Sequence, residues 1–414
     1  MAATNSELLA TLQLMHLPGM GPVTFRRLLR IFGSPQAALA APRARLLELP
    51  DLETRVAEGI PQAAEDRWAE EELARAAQEG VRLVCLSDAE YPKALLNTYD
   101  PPPLLYIKGE LKPTDGLALA VVGCRSCSHY GQEQAQRLAA GLVRAGFVVV
   151  SGLARGIDSA AHLGALSQPD GRTLAVLGNG LERVYPPENL KLLERIVDGR
   201  GAAISELPFG TPPAAEHFPR RNRIIAGISL GVVVVEGQES SGALITAQYA
   251  VDMDREVFAV PGPVGSPNSR GPHRLIKKGA KLVEDIDDIL EELREVAAPL
   301  VKLPPPDERL RLPKRPAARA AAAPHKEEPV PLLKAAGLPA APADTRPSLT
   351  DLRALNLNPR EARLYGLLDP AEPRDVDALI AESGLAASEV LATLLVLEVR
   401  RLCRQLPGKR FVKA

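Results

Sequence analysis

The chain has little of what would make it a secreted, metal-bound or membrane protein. Only four cysteines (Cys85, Cys124, Cys127 and Cys403) occur in 414 residues, too few for a disulfide framework. No basic-plus-apolar segment precedes them, and no apolar run approaches the roughly 18 residues needed to cross a bilayer. A cytoplasmic chain without membrane insertion is therefore expected. Net charge is almost absent too: 50 Lys+Arg against 51 Asp+Glu leave −1 at pH 7. That excludes a chain that clings to polyanions everywhere and confines any nucleic-acid affinity to local clusters. The glycine turns fit neither Gly-x-Gly-x-x-Gly nor Gly-x4-Gly-Lys-Ser/Thr, so NAD binding and ATP hydrolysis are disfavoured and no cofactor is expected.

What the chain does have is length for two or three domains. Residues 1–80 alternate Leu/Ala-rich helical periodicity with breaks, and Leu17-Pro-Gly-Met-Gly21-Pro22 separates two helical segments. This reads as a helix-hairpin-helix or SAM-like unit, whose hairpin amides can grip a phosphate. A plain helical bundle is the simpler reading. Residues 81–298 change to short Val/Ile/Leu runs alternating with helical patterns: Leu117–Val122, Phe147–Val150, Thr173–Leu177, Gly231–Val235 and Glu256–Val260. Continuous apolar strands of this kind predict a Rossmann-like, doubly wound, mostly parallel sheet covered on both faces. Ligands in such α/β sheets sit at the carboxyl ends of the strands. A Pro/Ala-rich stretch without aromatics, 299–347, cannot bury enough apolar area to fold alone and reads as a disordered linker. Residues 348–414 regain helical periodicity over roughly 359–368, 373–382 and 386–400 and end in a short hairpin, the pattern of a winged helix-turn-helix. Arg400, Arg401, Arg404, Lys409, Arg410 and Lys413 make that end basic. Contact with duplex DNA and contact with protein both stay open for it.

The densest functional signal is Phe218-Pro-Arg-Arg-Asn-Arg-Ile-Ile225, followed by Gly231–Glu236 and Ser240-Ser-Gly-Ala-Leu-Ile-Thr246. Arg220, Arg221 and Arg223 bring guanidinium groups to the mouth of a strand, and a helix opening at Gly242 turns its free amides and dipole to the same anion. Val121-Val-Gly-Cys-Arg125-Ser126 and Ser151-Gly-Leu-Ala-Arg155-Gly-Ile-Asp158 add two small-residue turns, each with an arginine. Adjacent anion loops imply a linear polyphosphate. Asp158 reads as a cap of its own helix. Ser151, Asp158 and His162 hold the letters of a triad, but two of them lie one turn apart on one helix. Gly227-Ile-Ser229-Leu-Gly231 mimics a nucleophile elbow but has its helix before its strand. Cys124 and Cys127 lack a second pair to complete a metal site, so none is expected. Asn179 and Lys191 are candidates for the groove wall, and Tyr185 offers a ring for a base or holds its Pro-Pro turn.

Taken in order, these motifs together with Val260-Pro-Gly262 strongly resemble the DprA (Smf) family of DNA-processing proteins over about residues 83–290. The resemblance implies a non-enzymatic homodimer that binds single-stranded DNA during natural transformation and loads the RecA recombinase onto it. It implies phosphate contacts at Gly123, Arg125, Ser126, Ser151, Gly152, Leu153, Ala154, Arg221, Asn222, Arg223, Ser241 and Gly242. Dimer and recombinase contacts are implied near His273, Leu275 and Ile276. Cys124 stands where the family usually has Ser or Thr, and Pro187 where many members have a basic residue, which leaves Lys191 as the substitute. The main alternative is a phosphoribohydrolase-like enzyme on a Rossmann-like fold, although Glu236-Gly-Gln-Glu-Ser-Ser-Gly does not match that group's glutamate signature. A third reading is an adaptor whose parts all bind proteins.

Overall fold

The computed structural model describes residues 5–297, 357, 359–370, 372–399, 402–406 and 410–413. The expected 299–347 linker lies outside the described residues, as do Arg400, Arg401 and Lys409. The described chain falls into two compact units, one holding residues 5–297 and the other the residues from 357 onward.

The first unit opens with helices α1 (Asn5–His16), α2 (Pro22–Phe32), α3 (Pro35–Leu39), α4 (Arg43–Leu47), α5 (Thr54–Ala63) and α6 (Trp68–Gln78). Pro22, whose fixed φ suits a first helical turn, starts α2 after the glycine hairpin, and Gly33 ends it in the left-handed region at φ 85°. Leu14, Phe25, Leu28, Leu46 and Ile60 form a helical core here. Leu12, Ala69 and Ala76 instead pack with sheet residues such as Tyr106 and Ala203. Glu72 on α6 fastens this join: its buried carboxylate accepts from the Tyr106 hydroxyl at 2.9 Å and the Phe209 N–H at 2.8 Å. Burial pushes the Glu72 carboxyl up.

The sheet and its covering helices follow as β1 (Val81–Cys85), α7 (Lys93–Leu96), β2 (Leu104–Gly109), β3 (Ala118–Val122), α8 (His129–Arg144), β4 (Val148–Ser151), α9 (Ile157–Leu166), β5 (Thr173–Val176), α10 (Leu190–Val197) and β6 (Gly201–Ser205). The second half runs α11 (His217–Ile228), β7 (Gly231–Val234), α12 (Gly242–Asp252), β8 (Glu256–Ala259), α13 (Arg270–Lys277), β9 (Lys281–Leu282) and α14 (Ile286–Ala297). The strand order is β1-β2-β6-β5-β4-β3-β7-β8-β9. Pairing is parallel from β6 to β9, while β2 joins β6, and β1 joins β2, antiparallel. All five expected strands form. β1, β2, β6 and β9 come in addition, and β1 and β2 make the sheet mixed at one edge. Every residue of β3, β4, β5 and β7 is buried, as two covered faces require.

The chain leaves β3 toward β4, β5 and β6, then returns to the other side of β3 for β7, β8 and β9. The crevice between the carboxyl ends of β3 and β7 is thus the topological switch point, where open α/β sheets bind their ligands.

The second unit consists of α15 (Pro359–Leu367), β10 (Arg374–Asp375), α16 (Val376–Ser383), α17 (Ala387–Val399), β11 (Cys403–Leu406) and β12 (Arg410–Lys413), with sheet order β10-β12-β11. This is a winged helix around Leu364, Leu379, Leu394 and Phe411. Residues 374–375, expected inside the second helix, instead pair with β12 as a short strand. Lys413 is held with its Nζ 4.3 Å over the Tyr365 ring.

His162 lies fully buried on α9, its Nδ1 2.7 Å from Thr173 Oγ1. Burial, with the nearby Arg221 charge adding, holds its imidazole down at about 3. An unfolded histidine titrates near 6.5, so between these values the unfolded chain binds the extra proton. The stability tied to this group is fully present above pH ~6.5 and is lost as the pH falls toward the folded value. Denaturation of the wild type is expected to lose about 1 kcal/mol per pH unit from this source below pH ~6. His162→Gln should be less stable at neutral pH yet flatter with pH; parallel profiles for the two proteins would reject the assignment.

Candidate nucleic-acid interface

At the switch point, β3 runs into the turn Gly123–Ser128 and β7 into the turn 236–241. A cleft of about 650 Å³ opens between them, walled on its third side by α11. The turns are shaped by capping: Ser128 Oγ accepts from the Gly131 N–H at 3.1 Å to start α8, and Ser241 Oγ accepts from the Ala243 N–H at 3.4 Å to start α12. Gly123 is required because a Cβ there would lie 2.8 Å from the Glu236 carbonyl oxygen and closer still to the Ile157 side chain.

Three of the expected amides are free. Among the described residues, the N–H groups of Arg125, Ser126 and Gly242 donate to no protein acceptor. Asn222 braces the helix start by donating to the Gly242 carbonyl at 3.2 Å. Arg125 is exposed, has no carboxylate partner among the described residues, and holds its guanidinium 5.1 Å over the Phe218 ring. Beneath it lies Arg221, only 5% exposed, donating to the carbonyls of Gly152 at 2.9 Å and Val176. Burial draws this guanidinium down to about 10, which leaves it charged at neutral pH. The cleft therefore combines a solvated cation, a desolvated one and the open end of an eleven-residue helix, the features that bind phosphate oxygens.

The β4–α9 turn departs from expectation. Ser151 is fully buried and spends its hydroxyl on the Val121 carbonyl at 2.7 Å. The N–H groups of Gly152 and Ala154 donate to the Asp158 carboxylate at 3.2 and 3.3 Å. Leu153 is buried at φ 55°, its carbonyl taken by Asn189 at 2.8 Å. Of these four residues, only Ala154 reaches the cleft wall. Asp158 does not cap its own helix; it turns back and satisfies the amides that were assigned to a ligand. Burial raises its carboxyl, with Arg221 opposing.

Arg223 is also corrected. It is 3% exposed, donates to the Asp100 carbonyl at 2.7 Å, and is ion-paired with Glu206 and with Asp100 at 3.3 Å. Residues two apart on a helix stand about 200° apart around it, so Arg221 and Arg223 cannot face one cleft. Arg220, three before Arg223, shares its face and reaches Glu206 at 3.6 Å. Lys191 is exposed on α10 and does not line the cleft. The neighbouring Glu188 pairs instead with Arg155.

Sequence reasoning left Phe218, Gln238 and Asn268 unassigned, yet all three line the cleft. Phe218 packs 5.6 Å from Tyr185, which also lines it, so the two rings form one wall. The signal was a rare aromatic two residues before the arginine run. Asn179 is buried and donates to the Gly180 and Arg183 carbonyls, away from the groove. His273 contacts the Gly262 carbonyl at 3.0 Å and Ile276 is half-buried. Leu275 lines a second groove of about 710 Å³ between α12 and α13, with Ile245, Val251, Arg274 and Lys278. Ser229 Oγ is buried against the Ile225 carbonyl. No group of three or more metal-ligating side chains occurs among the described residues. Burial, with Glu236 adding, lifts the Cys124 thiol to about 12.

Comparison with known proteins agrees along the chain. A family model for DNA recombination-mediator protein A matches residues 82–294, a DprA-like N-terminal HHH domain matches 5–75, and a DprA winged helix domain matches 316–409. Protein Smf of Synechocystis is 32% identical over 417 residues, covering 98% of this chain and 99% of that protein. Protein Smf of Escherichia coli is 48% identical over 209 residues, covering 50% of this chain and 56% of its own. The X-ray structure of DNA processing protein A from Streptococcus pneumoniae superposes with TM-score 0.56 and 34% identity, covering 70% of this chain and 99% of that one.

The two arginines are expected to separate cleanly in thermal denaturation. Arg223→Ala leaves Glu206 buried without its closest partner and should cost about 3–5 kcal/mol. Arg125→Ala removes an exposed side chain and should change stability by no more than ~0.5 kcal/mol. Equal melting shifts would contradict the placement of Arg223.

Proposed function

The chain belongs to the DprA (Smf) family, and from that premise we propose that its switch-point cleft holds single-stranded DNA by the sugar–phosphate backbone. The observation that carries the reading is Arg125. It stands exposed beside three free amides, above the buried charge of Arg221, with Phe218 and Tyr185 as a ring wall. The amides and cations suit phosphate of any sequence. The rings suit an unpaired base, which a duplex keeps turned inward. Gly123, Ser126, Asn222, Ser241 and Gly242 complete the contact surface.

In this reading the protein is a binding module and not an enzyme. The acids nearest the cleft are committed elsewhere: Asp158 to two amides and Glu236 to Ser128. Its DNA-processing role is to protect incoming single strands in the cytoplasm during transformation and to load RecA onto them. It works as a homodimer, with the α12/α13 groove beside Leu275 the surface for self-association or recombinase contact. Within the second unit, α17 carries no Lys or Arg over its described span, whereas Arg404 on β11 and Arg410 and Lys413 on β12 offer a basic surface for duplex contact.

Filter binding with single- and double-stranded oligonucleotides of one sequence is expected to show a clear preference for the single strand. For the wild type, log K should fall by roughly 0.7 per log salt for each neutralised phosphate, and Arg125→Ala should flatten that slope by about one such unit. Equal affinity for both forms, or release of free base from nucleoside monophosphates, would overturn the proposal.

A further inference from the structure

Glu236 opens the turn that follows β7 and is 3% exposed. An acid at the foot of an anion cleft repels what the cleft attracts, so its placement needs a physical reason. Its carboxylate accepts from the Ser128 N–H at 2.8 Å and from the Ser128 hydroxyl at 2.6 Å. Its main-chain carbonyl accepts from the Cys124 N–H at 2.8 Å. One residue thus holds both ends of the turn between Cys124 and Ser128, and Arg125 and Ser126 stand inside that span. The fit is tight: a Cβ on Gly131 would fall 2.5 Å from the Glu236 carboxyl group. Asn268 fastens the middle, donating to the Ser126 carbonyl at 3.0 Å while its own carbonyl accepts from the Gly237 N–H at 2.7 Å. Glu236 itself is not part of the cleft wall.

We propose that Glu236 is a positioning residue for DNA binding: it touches no nucleic acid and fixes the Arg125–Ser126 turn in the conformation that receives phosphate. This rests on reading the cleft as a single-strand site. With the carboxylate gone, the Ser128 N–H and hydroxyl lose their acceptor and the turn is free to relax, carrying the Arg125 guanidinium and both free amides out of register.

The test is a double-mutant cycle on the full chain, read as affinity for a single-stranded oligonucleotide at a temperature below every variant's melting point. Glu236→Ala is expected to weaken binding roughly tenfold, the worth of one charge-assisted contact. Glu236→Gln, which keeps an acceptor for the Ser128 N–H, should recover part of it. The variant carrying both Arg125→Ala and Glu236→Ala should lose less than the sum of the two single losses, because the guanidinium part of the Glu236 effect disappears with Arg125 while the part carried by the two amides remains. Fully additive losses would overturn the proposal, since they would place Glu236's effect outside that turn. Should Glu236→Ala fail to fold, Ser128→Ala removes the hydroxyl donor to Glu236 together with the α8 cap at Gly131, and below its own melting point it must show the same non-additivity with Arg125→Ala. If the wild type binds no single strand, or Arg125→Ala binds normally, the reading of the cleft fails. If Arg125→Ala weakens binding while Glu236→Ala and Ser128→Ala do not, only the role of Glu236 fails.

Discussion

The site depends on a guanidinium taken out of water. Arg221 lies beneath the carboxyl ends of the sheet, where an isolated charge would be expensive to hold. Two backbone carbonyls, from Gly152 and Val176, accept its protons and make the position tolerable. Neutral carbonyls solvate a cation without cancelling it, and Asp158 supplies the opposing charge nearby. Much of the local geometry follows. Gly152 has no side chain because a Cβ would lie 2.5 Å from the Arg221 guanidinium and 2.8 Å from the Asp158 carboxylate. Phe218 covers the opposite side, with the Arg221 guanidinium 5.9 Å from its ring centroid.

The sheet supplies the place and α11 supplies the sorting. The helical period turns Phe218, Arg221, Asn222 and Ile225 to the cleft and sends Arg220 and Arg223 to Glu206 on the far side. One short sequence thus builds a ligand surface and a buried structural ion pair back to back. Arg223 joins α11 to the segment before β2 through Asp100, and Glu72 joins α6 to β2 through Tyr106. The N-terminal helices and the antiparallel edge are in this way tied to the element that carries the cleft.

The central strands were legible because a run such as Ala118–Val122, buried on both faces, cannot avoid being apolar throughout. β1 and β2 were harder: Val81–Cys85 and Leu104–Gly109 include Arg82 and Lys108 and lie at an edge where one face is partly open. The free amides at Arg125, Ser126 and Gly242 followed from strand–turn–helix texture. Ser151, Gly152 and Leu153 look the same in sequence, and only the fold shows that Asp158, six residues after Gly152, bends back to claim the amides. Arg223 could have been set apart by helical spacing alone. Glu236 could not, since its partner Ser128 is 108 positions away.

Asp158 occupies the β4–α9 turn much as a bound oxyanion would, with two amides already pointing at it. That corner of the protein carries its own counter-ion, built into the chain. A turn ordered in advance has no conformational freedom to surrender when a ligand arrives, and that surrender is a large part of what association must otherwise overcome. The neighbouring wall is thus ordered before any ligand is present, and in the proposed reading it is the strand that does most of the conforming.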